Sequence, residues 1–184
     1  MSKKPRKKYR PTDAHLNALE QAMNRVRRLS NADVLNQQAN ARRSIEVLKA
    51  GAGLAVLAKK GDDAECLTHW KGLADVANMA ETLASMGLGS GEQADAIIAA
   101  ANKVLHDVFL RRQILGVWSL SVEQVDALEW LVALHCGTQL AACSYGEFER
   151  AFIRTRNRVH DAAHGNAAPG TVVVQGQIGE VANA

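Results

Sequence analysis

Cysteine is scarce here and poorly arranged for covalent or metal chemistry. Cys66, Cys136 and Cys143 are an odd number with no CxxC pairing, so neither a disulfide framework nor a zinc ribbon is written into the chain. A reduced, cytosolic setting is the expectation. Long hydrophobic runs are missing too. The longest, "GAGLAVLA" at 51–58, falls far short of the ~20 residues that a membrane span needs. The basic start runs into "PTDAHLNALEQ" instead of an apolar segment, so no secretory signal is expected and no membrane partner is implied. Proline stands only at 5, 11 and 169, which leaves everything between Pro11 and Pro169 free to be helical.

Positive charge is the other shortage, and it is hidden by the totals. The chain carries 22 Lys and Arg against 19 Asp and Glu, but six of the cations lie in the first ten residues. Without them 16 cations face 19 anions, so a weakly acidic body carries a basic arm. That asymmetry argues against a broad basic face on the folded part. Lys3, Lys4, Arg6, Lys7, Lys8 and Arg10, with Tyr9 among them, are the candidate contacts to nucleic acid or to an acidic partner.

What the chain does contain is alanine, 31 residues of it against eight aromatics, together with regularly placed helix starts. A small polar cap followed three residues later by Glu or Gln occurs at Asp62/Glu65, Ser90/Gln93, Ser121/Gln124 and Ser144/Glu147. Leu120 and Val125 form a possible hydrophobic staple, and stop signals fall at Gly61, Gly87 with Gly89, and Gly116. The pattern predicts helices at 13–29, at 32–59 with a break at "GAG", and at 63–86, 91–115, 122–142 and 145–163. The expected fold is all-α: a bundle of five or six helices over 12–164, a disordered basic arm at 1–11 and a flexible Gly/Val-rich tail at 165–184.

Periodicity places the core. The helix at 63–86 is apolar nearly all round, with Trp70, Ala77 and Ala84 on one side and Val76, Met79 and Leu83 on the other, which suits the centre of a bundle. In the last helix Phe148, Phe152 and Val159 are predicted to face inward, with Arg150, Arg154 and Arg158 as a basic stripe on the flank. Trp70 and Trp130 are both predicted to be buried.

Signals for chemistry are weak. "GLGSG" at 87–91 has no strand before it and reads as a helix stop followed by a start, not a phosphate loop. Cys66 with His69, and His160 with His164, have helical spacing but no companions at recognised spacing, so no metal and no cofactor are assigned. His69, the His106–Asp107 pair and Asp161 could mimic an HD-type metal hydrolase, a minor alternative because His160–Asp161 supplies a second chance His-Asp dipeptide. A helix-turn-helix reader at 120–160 is disfavoured, since "GTQLAACSYGE" is too short to hold a second helix and a turn; an antiparallel helical hairpin is expected there. No catalytic residues are assigned.

With "KKYRP" at 7–11, "NMAETLASMGLG" at 78–89, "ALEWLVALHCGTQL" at 127–140 and "YGEFERAF" at 145–152 on the page, the chain resembles an uncharacterised family of small helical proteins encoded by phages and prophages of Gram-negative bacteria. The likeness covers residues 33–163 and the basic start. The segment matching 134–140 often reads Leu-His-Asp in that family, whereas this chain has Leu134, His135 and Cys136, a departure that weakens any catalytic role for His135. The resemblance implies an accessory protein in a phage setting that binds a host or virion protein, with non-specific nucleic-acid binding through the arm as the alternative.

Overall fold

The computed structural model describes residue 23 and residues 27–50 and 60–165. Five helices make up the described body: α1 (Asn31–Ala50), α2 (Lys60–Ser85), α3 (Glu92–Leu115), α4 (Val122–Val132) and α5 (Tyr145–Ala163). A π-helical segment, Ala133–Leu140, continues directly from α4. The fold is all-α, and α2 packs against α1, α3, α4, the π segment and α5. Among the described residues no helix is long and apolar enough to cross a membrane. The expected arm at 1–11, the "GAG" break and the tail beyond 165 lie outside the described residues.

Helix α2 is central because it has few polar faces to keep wet. Trp70, Leu73, Ala77, Ala80 and Leu83 are all fully buried along it. Trp70 fills the middle of the core, stacked on Phe109 with centroids 4.7 Å apart and tilted against Trp118 at 6.4 Å. Its indole Nε1 donates to the Leu105 carbonyl at 2.9 Å, so the ring is buried without an orphaned donor. At the same end Asp63 accepts a two-pronged hydrogen bond from Arg112 (2.7 and 3.2 Å) and one from Trp118 Nε1 at 2.8 Å. The Arg112 contact, with help from Trp118, holds the Asp63 carboxyl below its ordinary value against the opposing effect of burial.

Two of the four capping boxes form. Ser121 and Ser144 each accept from the backbone three residues on, and Gln124 and Glu147 answer with the reciprocal bond. The other two are corrected by the structure. Helix α2 begins at Lys60, so Gly61 and Asp62 lie inside it and neither stops one helix nor caps the next. The N-cap of α3 is Gly91, with no side-chain cap bond, so Ser90 does not close a box. Gly87 and Gly89 do end α2, both with positive φ, and Gly116 ends α3 in the left-handed region.

The expected first helix also needs correction at its end. Residues 27–29 are not helical: Arg28 bridges to Ser144, the Tyr145 amide donates to the Arg27 carbonyl at 2.6 Å, and the Leu29 amide reaches the Cys143 carbonyl. Met23 is helical, and the remainder of 13–26 lies outside the described residues. Trp130, expected inside, is 62% exposed. The buried side of α4 holds Leu128, Leu131 and Val132, and residue 130 sits about 200° round the helix from 128.

Candidate functional site

The π segment positions the most distinctive group in the molecule. From Leu131 on, the buried residues of α4 and the π segment are Leu131, Val132, His135, Cys136, Gln139 and Leu140, a repeat of four. An α-helix would rotate such a stripe by about 40° every four residues. A wider turn keeps it on one face, and π turns of this kind often occur at functional sites. The result brings His135 and Gln139 side by side on a segment packed against α1 and α2.

His135 is 2% exposed. Its Nδ1 lies 3.2 Å from Gln139 Oε1, while Gln139 Nε2 donates to the Ala80 carbonyl at 2.9 Å and the Leu88 carbonyl at 3.2 Å. Burial pushes the imidazole down to about 4, outweighing the Gln139 contact that works the other way. The turn at Gly89 is built around this side chain: its φ is +58°, and a Cβ there would lie 2.8 Å from Gln139 Cγ. Cys136 beside it is buried, and burial pushes its thiol up to about 11, despite the lowering influence of Arg42. Cys143 is raised to about 11 as well, by burial and then by Glu147, so both thiols stay protonated.

A cleft of about 320 Å³ opens beside His135. Gln37 of α1 and Asp75, Val76 and Met79 of α2 line one side; Phe148, Phe152, Thr155, Arg156 and Val159 of α5 line the other. Phe152, expected to pack inward, is 52% exposed. Helix α5 instead turns Ala151 into the core and uses Thr155 and Arg158 against α2. Thr155 bonds Thr82 at 2.8 Å, and Arg158 takes Glu81 at 2.8 Å and the Asn78 carbonyl at 3.2 Å. Phe152 is left on the rim with its ring facing solvent.

The sequence candidates are dispersed. Arg150 and Arg154 are exposed on α5, whereas Arg158 is half-buried in its ion pair with Glu81. Lys3, Lys4, Arg6, Lys7, Lys8, Tyr9 and Arg10 lie outside the described residues. The hydrolase set does not converge: His69 bonds Ser44, Asp107 accepts from Lys103, and Asp161 sits beside His160. Among the described residues no group of three or more His, Cys, Asp or Glu could hold a metal ion. His160 and His164 stack with centroids 4.2 Å apart on the exposed end of α5.

The cleft is not legible in any one stretch of sequence, because its walls come from three helices and the π segment. The one sequence trace of it is the four-residue repeat of core positions through 131–140, which fits a π turn better than an α-helix. No family model, no curated protein and no solved structure matches this chain.

Proposed function

We propose that the protein works by binding another protein, with the cleft between α2 and α5 as the receiving surface. The observation that carries this reading is Phe152: a large ring left half in solvent, next to half-buried Val76, Phe148 and Val159 and buried Met79, on an open cleft with a polar rim. Exposed aromatics beside a groove are the usual anchors of interfaces, since covering them removes apolar area from water and costs little side-chain entropy. A phage accessory protein that engages a host or virion component fits this design. Capture from a host lysate with wild type and Phe152→Asp tests it. A specific protein retained by wild type, lost with the variant and insensitive to nuclease is expected; retention by both would reject the cleft as the surface.

A second reading, nucleic-acid contact, is supported by a different observation. Arg150, Arg154 and Arg156 are exposed on α5 with no ion pair among the described residues, and the six cations of residues 1–10 add to them. This contact would be sequence-blind, through phosphates.

A further inference from the structure

Among the described residues the shielded side-chain atoms without a hydrogen-bond partner are Asn78 Oδ1, Asn102 Oδ1 and Arg158 Nε. Asn102 also lines a second pocket, of about 430 Å³, between α2 and α3. Glu81 and Ala84 of α2 face Asp95, Ile98, Ala99 and Asn102 of α3 across it. The α3 residues are spaced i, i+3, i+4 and i+7, so they form one stripe directed at α2. Ile98 and Asn102, 5% and 6% exposed, make the floor. Glu81 and Ala84 lie about half a turn round α2 from Asp75, Val76 and Met79, so this pocket is separate from the cleft beside α5.

Asparagine is a poor helix former, yet Asn102 stands inside the 24-residue α3 with its amide oxygen sealed and unpaired. An acceptor desolvated in this way has lost its water and gained nothing from the described fold, which points to a donor supplied from the pocket. The torsion that turns an Asn amide is soft, so a small rotation presents the oxygen to the pocket. Charge then selects the donor. Two carboxylates, Glu81 and Asp95, stand in the walls with no cation beside them. Glu81 is held from behind by Arg158 at 2.8 Å, whereas Asp95 is exposed and makes no ion pair among the described residues. The first-turn residues of α3, Glu92, Gln93 and Ala94, line a neighbouring pocket with Trp130, so their amides do not crowd the floor at Asn102.

We propose that this pocket binds the ammonium group of a primary alkylamine, with Asn102 Oδ1 and the carboxylates of Glu81 and Asp95 as acceptors and Ala84, Ile98 and Ala99 along the alkyl stem. An ammonium carries three donors and no acceptor, which matches a site whose unmet polar group is an acceptor and whose charge is negative. A metal ion fits less well, since no group of three or more His, Cys, Asp or Glu among the described residues could hold one. The same chemistry is offered by a free amine and by a lysine of a partner protein. The site is independent of the cleft reading, and either can fail alone.

The test uses the full chain at neutral pH and three probes: n-butylamine, acetyl-lysine methylamide and uncharged 1-butanol. In nitrogen-edited NMR both amines should shift the Asn102 side-chain amide and the Asp95 backbone signal saturably. Butanol, similar in size but without the charge, should bind about tenfold more weakly or worse. Asp95→Asn, at an exposed position that leaves the fold alone, should weaken the amines about two- to fivefold. Asn102→Leu should remove binding, and if that variant does not fold, Asp95→Asn still decides. Tighter binding of the lysine derivative assigns the ammonium to a partner's lysine, and butylamine binding as tightly or better assigns it to a free amine; both outcomes support the site. Butanol matching butylamine overturns the proposal in favour of a merely apolar pocket. No saturable shift with either amine, or amine binding unchanged in Asp95→Asn, overturns it outright.

Discussion

At the scale of single residues, Trp70 and His135 do most to define the interior, and they do so in opposite ways. Trp70 is fully buried with its one donor satisfied, so Trp70→Ala should lose about 3–5 kcal/mol in urea unfolding. His135 is buried with its charge suppressed. Its folded value of about 4 lies below the ordinary 6.5, so the unfolded chain takes up the proton first. Stability from this group is complete above about pH 6.5 and is lost as pH falls toward 4, by about 3 kcal/mol in all. Denaturant midpoints should therefore drop across that window, and the His135 ring signals should not titrate above pH 5. Midpoints that stay flat between pH 7 and 4.5 would contradict the burial of this ring. Asp63 acts below that window: its depressed carboxyl loses its contribution only as pH falls below the ordinary carboxylate range.

At the scale of elements, the caps show what was legible in the sequence and what was not. The boxes at Ser121 and Ser144 form because each follows a tight break, and each helix starts where its cap says. Ser90 fails because Gly91, at φ +135°, takes the cap position. Asp62 fails because α2 starts earlier, and the acid that matters there is Asp63, tied to Arg112 and Trp118 across the bundle. Local pattern identified the helices, and long-range pairing set their ends. Ser144→Ala should cost about 1 kcal/mol and Ser121→Ala a similar amount, whereas Ser90→Ala should be nearly silent in thermal unfolding. Helical spacing alone places Phe152 and Trp130 inside, and both are more than half exposed. Spacing reports which residues share a face, and it takes the neighbouring helices to say how wide the buried part of that face is. For the same reason the cleft could not be read from one stretch of chain.

At the scale of the whole molecule, charge and topology govern what can reach the surface. If the six cations of residues 1–10 engage duplex DNA, log affinity should fall against log salt with a slope of about 5, from 0.9 per phosphate. Replacing all six with Gln should abolish that slope. A slope that persists would move the contact to Arg150, Arg154 and Arg156 on α5. The bridge between Arg28 and Ser144 has a kinetic side. It joins the approach to the first described full helix to the start of the last, so it closes a loop containing four of the five helices and the π segment. Loop closure of that length must wait until the intervening helices have docked. The amides of Leu29 and Tyr145 should thus be among the last to gain protection during refolding and the first to exchange in the native state, making this short pairing a latch that reports whether assembly is complete.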